Sequence, residues 1–265
     1  MDGRHVDIGG RRLYLESMGA GTPPVVFESG SACGAASLRN LALAVQHFTR
    51  AICYDRAGID QSDPAPTPRT SRDIADDLHR LLDTAAVTPP YLLVGHSIAG
   101  LHLRVYAQRY PSDVAGMVLL DVVHPDQWQR ELGLLPAPDA NEPSALTVMR
   151  RTITAEWADQ TNTAEGLDIA GSAAQVRAAG TLDAIPLVVI TAGIDTWEAG
   201  FPREVAAELE QDWRWMQHEL VALSTRSRQV LATESDHSIQ DCQPELVVAE
   251  IHRLVELVRA ERSRS

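Results

Sequence analysis

Ser97 lies in the stretch Leu92-Leu93-Val94-Gly95-His96-Ser97-Ile98-Ala99-Gly100, an apolar run that closes on a glycine. The residues after it, Leu101, Val105, Tyr106 and Arg109, take up helical spacing. A buried strand that turns abruptly into a helix puts such a serine at the apex of a tight turn with its hydroxyl exposed, the arrangement called a nucleophile elbow. The turn demands small residues two positions to either side, because larger side chains there would strike the adjoining strand and helix. Gly95 meets that demand and Ala99 takes the second place with Gly100 behind it, so the pattern reads G-x-S-x-A-G. A serine that merely caps a helix after a strand would give a similar local pattern. The catalytic reading is favoured because a base and an acid stand later in the chain, in the order such chemistry requires.

A serine hydroxyl attacks a carbonyl only when a base removes its proton, and imidazole has the suitable basicity. His237 is the candidate base. It comes after the last strand-like run, in the loop Glu234-Ser235-Asp236-His237-Ser238, and a parallel sheet brings that loop to the edge where the elbow sits. His5, His47, His79, His218 and His252 read as surface or packed residues, His96 as structural, and His124 as a candidate pocket residue. The base in turn needs a carboxylate on its far nitrogen. Two aspartates end strand-like runs within reach, Asp121 after residues 115–120 and Asp195 after residues 185–191, and Asp121 also reads as a strand-end cap. Negative charge on a tetrahedral intermediate requires preorganised donors worth about 3 kcal/mol each. The backbone N–H of Ile98 is one such donor, and that of Ser31 the other, with Ala32 or Cys33 as the fallback. Asp55 and Arg56 read as a structural turn with a local ion pair.

The elements that must position these groups can be read in order. Val6 and Ile8, then Leu13 and Leu15, alternate around Gly9-Gly10 as a hairpin. Residues 24–30 are an apolar run of the kind buried on both faces of a mostly parallel sheet, and 51–54, 92–95, 115–120, 185–191 and 228–233 read as further strands, with helical patterns between them. From 122 to 184 the alternation stops, and Trp128, Leu132, Leu134, Leu135, Met149 and Trp157 recur at helical spacing with no clear strand. That length exceeds an ordinary loop and predicts a helical lid inserted into the sheet. Residues 1–121 and 185–265 would then form the core and 122–184 the lid. Trp128, Met149, Trp157 and Trp197 are candidates for an acyl or alcohol pocket, although Trp and Leu at such spacing more often build a core.

Composition narrows the chemistry. All 23 basic residues are arginine, so Schiff-base chemistry, a phosphate-binding lysine and a Ser-Lys dyad are excluded. A net charge of −13 argues against nucleic acid as a partner. Cys33, Cys53 and Cys242 are odd in number and lack metal-ligand spacing, which suggests reduced thiols in a cytoplasmic protein. Neither a signal-peptide pattern at the N-terminus nor an apolar run long enough to span a bilayer is seen. No metal or other cofactor is expected.

Over nearly its whole length the chain resembles the α/β-hydrolase superfamily, and among its members the lid-bearing serine esterases and lipases. The resemblance rests on the elbow at Ser97, on Glu28-Ser29-Gly30-Ser31 where the family usually has a His-Gly pair, on Tyr54-Asp55-Arg56-x-Gly58, and on an aspartate and a histidine late in the chain. Asp60, where many relatives have Gly, and Ala99 are departures that leave the reacting groups intact. The resemblance implies an α/β fold with a mostly parallel sheet flanked by helices. The acid it favours is Asp195, since most such hydrolases carry it after the later strand. It also implies hydrolysis, without a cofactor, of a carboxylic ester of a neutral, moderately apolar small molecule through an acyl-enzyme. The competing readings are lactone or amide hydrolysis, perhydrolysis or cyanohydrin cleavage on the same triad, and a ligand-binding receptor on this scaffold. Dehalogenases and epoxide hydrolases are disfavoured, because those relatives have Asp where this chain has Ser97.

Overall fold

A computed structural model describes residues 2–158, 165–194, 197 and 200–264. Strands β1 (Asp2–Asp7) and β2 (Arg12–Met18) form the hairpin centred on Gly9-Gly10, both in the left-handed region. Then β3 (Val25–Glu28), α1 (Arg39–Val45), β4 (Ala51–Tyr54), α2 (Ser71–Thr84), β5 (Tyr91–His96), α3 (Ala99–Arg109) and β6 (Val114–Leu120) alternate. Three helices, α4 (Gln127–Leu134), α5 (Ser144–Ala158) and α6 (Ile169–Ala179), separate β6 from β7 (Leu187–Ala192). The chain continues through α7 (Arg203–Val221), β8 (Ser227–Ala232), the short α8 (Ile239–Cys242) and α9 (Pro244–Arg262).

The strands form one eight-stranded sheet in the order β1-β2-β4-β3-β5-β6-β7-β8. From β4 to β8 every neighbouring pair is parallel, and β2 runs antiparallel to both of its neighbours, β1 and β4. Strands β3 to β6 are buried along nearly their whole length, which is why the sequence shows continuous apolar runs there instead of alternation. One apolar layer, including Ile74, Leu78, Leu81 and Leu82 of α2 and Leu101 and Val105 of α3, covers one face. The other face is covered by Leu41 and Val45 of α1 and Val247, Ile251 and Val255 of α9. Each such side chain, fully buried, contributes about 1.5–3 kcal/mol of hydrophobic stabilisation. Thr70 and Asp73 close a capping box at the start of α2, one residue before the first helical turn.

This topology positions the site. The chain leaves β3 toward α1 on one side and leaves β5 toward α3 on the other, so the carboxyl ends of these paired strands open a crevice where the strand order reverses. Gly30 and Ser97 sit on the two lips of that crevice: a Cβ on Gly30 would lie 3.5 Å from that of Ser97.

Candidate active site

Ser97 adopts φ +57 between β5 and α3, a left-handed conformation that is strained for a residue with a side chain. Its amide bonds to Leu120 O at 3.2 Å, and its carbonyl accepts from Val123 N at 3.0 Å, which pins the turn to the end of β6. The small residues are required by contact. A Cβ on Gly95 would meet Leu103 Cδ1 at 2.6 Å and Ala99 Cβ at 3.1 Å, and one on Gly100 would meet Val122 Cβ at 2.5 Å. Ala99 itself is fully buried, so a methyl group is accommodated at that place. Ser97 is partly exposed.

His237 lies in the loop between β8 and α8, with its side chain 45% exposed. Its Nδ1 is 2.7 Å from Asp121 Oδ2. With Nδ1–H donating to the carboxylate, Nε2 is left free to accept a proton. Asp121 ends β6 at φ +45, and its side chain is 3% exposed. Its other oxygen, Oδ1, accepts two further hydrogen bonds, from Ala192 N and from Trp213 Nε1, both at 3.1 Å. The carboxylate is therefore held from β7, α7 and the histidine at once. The expected acid, Asp195, lies outside the described residues, and the ring nitrogen it was to serve is occupied by Asp121. β5 and β6 are direct neighbours in register, so Asp121 ends the strand beside the elbow.

His96, read as structural, has a definite task. Its Nε2–H donates to the His237 backbone carbonyl at 2.9 Å, and the two rings sit 4.6 Å apart. Burial, with the adjacent His237, pushes the His96 pKa down to about 4, so it is a neutral donor that ties the elbow strand to the loop of His237.

In the loop after β3, the amides of Ala32 and Cys33 are both engaged. Ala32 N donates to Glu165 Oε1 at 2.8 Å and Cys33 N to Gly30 O at 3.2 Å. Neither bond uses the Ser31 amide, the donor expected from the sequence. Ile98 N–H opens α3 at a position with no preceding helical turn to receive it.

A cavity of about 280 Å³ adjoins Asp121 and His237 and is walled by Gln127, Ile194, Trp197 and Trp213. Of the four residues expected to line a pocket, Trp197 is on this wall. Trp128, on the helix α4 that lies against α7, is 7% exposed and packed in the core cluster. Met149 packs at the edge of the same cluster, and the Trp157 side chain lies outside the described residues. The sequence does not single out Trp213 or Gln127. Trp213 continues the buried stripe Ala206, Leu209, Met216, Leu220 of α7, a helical spacing that marks it as inward-facing. Among the described residues, no group of three His, Cys, Asp or Glu side chains is gathered to hold a metal ion. No helix among them is long and apolar enough to cross a membrane.

The sequence model for the alpha/beta hydrolase fold matches residues 23–164, more than half of the chain. The chain belongs to the α/β-hydrolase fold family. An AB hydrolase superfamily protein of Gibberella zeae is 26% identical, with 86% of this chain and 85% of that protein covered. A probable transporter of Hormonema carpetanum, efuK, is 34% identical over 44% of this chain, which spans only 18% of that relative's length. Among solved structures, a thermophilic esterase from Thermogutta terrifontis superposes with a TM-score of 0.65 at 19% identity, covering 97% of this chain and 99% of its own. An α/β-hydrolase fold is thus common to the sequence match, the superposition and the sheet order.

Proposed function

We propose that this α/β hydrolase is a serine esterase that cleaves a carboxylic ester of a neutral, moderately apolar small molecule through an acyl-enzyme. The observation that carries the reading is the 2.7 Å contact of Asp121 with His237, on the sheet edge where Ser97 crowns a strained elbow. In the proposed reaction His237 Nε2 takes the Ser97 proton as Oγ attacks the ester carbonyl. Ile98 N–H and Ser31 N–H receive the charge that develops on the carbonyl oxygen. The proton then passes from His237 to the leaving alkoxide, and an acyl-serine remains. Water, deprotonated by the same nitrogen, releases the acid and restores the serine. Asp121 keeps the imidazole in the required tautomer and stabilises the imidazolium. The helices between β6 and β7 act as a lid over the site, and the aromatic cavity beside His237 receives an apolar part of the substrate.

The test is fluorophosphonate labelling combined with a panel of chromogenic esters of graded acyl length. Labelling of wild type and not of Ser97→Ala, with ester turnover lost in that variant, is the expected result. Turnover by Ser97→Ala at the wild-type kcat would reject Ser97 as the nucleophile.

A further inference from the structure

Arg56 does not make the local ion pair with Asp55 that its place in the turn suggests. Its guanidinium, 2% exposed, sits beneath the oxyanion loop and joins that loop to the insertion between β6 and β7. Nη1 donates to Glu28 Oε1 at 2.9 Å and Ser29 O at 2.7 Å, and Nη2 to Gly30 O at 2.6 Å. The other side is taken by Glu165, whose Oε2 accepts from Arg56 Nε at 2.7 Å and whose Oε1 accepts from Nη2 at 2.5 Å. That Oε1 also receives the Ala32 amide at 2.8 Å, and Ala32 stands at φ +56. A non-glycine residue in this region is strained and needs its surroundings to hold it.

Glu165 is itself firmly mounted. The residues after it clasp the segment before α2: Arg69 N donates to Gly166 O at 2.8 Å, and Asp168 N to Arg69 O at 2.7 Å. Gly166 has φ +60, and a Cβ there would lie 2.4 Å from Thr67 Cγ2. Burial disfavours the Glu165 carboxylate, but the bonds from Arg56 and from the Ala32 amide outweigh it and hold its pKa below the ordinary value. Burial raises that of Glu28 against the pull of Arg56, and Tyr54 Oη–H donates to the same side chain. Glu165 is accordingly the charged partner of a buried guanidinium, whose removal leaves a cation without its counter-ion.

We propose that Glu165 is a positioning residue through which the insertion sets the oxyanion loop: by clamping Arg56 and the Ala32 amide it fixes the backbone that aims the Ser31 N–H at the reacting carbonyl. This rests on the assignment of Ser97 as the nucleophile and Ser31 as an oxyanion donor. A role through the oxyanion donor acts on the transition state and leaves substrate binding alone.

Glu165→Gln keeps the shape and one acceptor but loses the charge, and Glu165→Ala loses both. With a chromogenic ester, kcat per folded molecule should fall at least about tenfold in Glu165→Gln and further in Glu165→Ala, with KM within about twofold of wild type. Affinity for an aryl trifluoromethyl ketone, which forms a tetrahedral oxyanion adduct with a serine, should weaken by the same factor. Affinity for the corresponding methyl ketone should not change. Folded fraction is taken from near-UV circular dichroism and thermal unfolding. The proposal is overturned by a wild-type kcat per folded molecule, by a rise in KM alone, or by unchanged trifluoromethyl ketone affinity. Failure of the underlying serine assignment would be visible separately, as tight ketone binding by Ser97→Ala or none by wild type.

Discussion

Asp121 Oδ2 accepts the Nδ1 proton of His237 at 2.7 Å, between residues 116 positions apart in the chain. Neutralising this acid should remove the charge that stabilises the imidazolium and disturb the tautomer. Asp121→Asn is expected to lower kcat by about 10⁴-fold, the loss typical when a triad acid becomes an amide. Asp195→Asn should have a far smaller effect. Steady-state kinetics on the two folded variants decides between them, and the opposite ranking would return the role to Asp195.

The fold was largely legible in the sequence because the buried strands are uninterrupted apolar runs ending in Gly, Ser or Asp, and these endings mark the reactive edge of the sheet. The partner of His237 was harder to read, since both candidate aspartates come soon after such strands. What distinguishes Asp121 is contact from remote elements, Trp213 of α7 and Ala192 of β7, which no local spacing encodes. Trp128 illustrates the converse: its helical spacing fits a pocket wall as well as the commoner core role, and it packs in the core cluster. Glu165 left no signal, because its role depends on a buried arginine 109 positions away.

Trp213 offers a narrower test of the same carboxylate. Trp213→Phe keeps an aromatic wall on the cavity and deletes the Nε1–H that Asp121 Oδ1 accepts at 3.1 Å, while the Ala192 amide remains. The carboxylate then loses one of the three donors that fix its orientation toward the imidazole. kcat should therefore fall by about tenfold, equivalent to about 1.4 kcal/mol. A wild-type kcat in the folded variant would show that the indole N–H does not position the pair.

The elbow makes a stability prediction. A methyl group on Gly100 would meet the branched Cβ of Val122 at 2.5 Å, at a place anchored by the end of β6. One on Gly95 meets chiefly Leu103 Cδ1 at 2.6 Å, the far end of a side chain able to rotate away. Overpacking of this kind costs about 1–3 kcal/mol, and Gly100→Ala should lie at the upper end and Gly95→Ala at the lower. Chemical denaturation midpoints with unchanged m-values would measure the difference, and equal losses would contradict the steric argument.

His102, in the middle of α3, predicts how stability depends on pH. Its ring is 2% exposed, Nδ1 pairs with Ser71 Oγ at 2.9 Å, and Nε2 has no hydrogen-bond partner among the described residues. Burial, reinforced by the positive charge of Arg56 and offset by Glu165, pushes its pKa down to about 3. In the unfolded chain a histidine titrates near an ordinary value of about 6.5. Between these values the unfolded state binds a proton that the native state does not, so stability falls as the pH drops through that window. Each such proton contributes about 1.4 kcal/mol per pH unit to the slope. His96, with its pKa pushed down to about 4, adds a second contribution over most of the same range. His102→Gln removes one of the two while leaving a polar group to meet Ser71, so the plot of unfolding free energy between about pH 6 and pH 4 should become shallower by about that amount per unit. Urea unfolding at several pH values gives the slope directly, and a slope equal to that of the wild type would mean that native His102 takes up its proton as readily as the unfolded chain does.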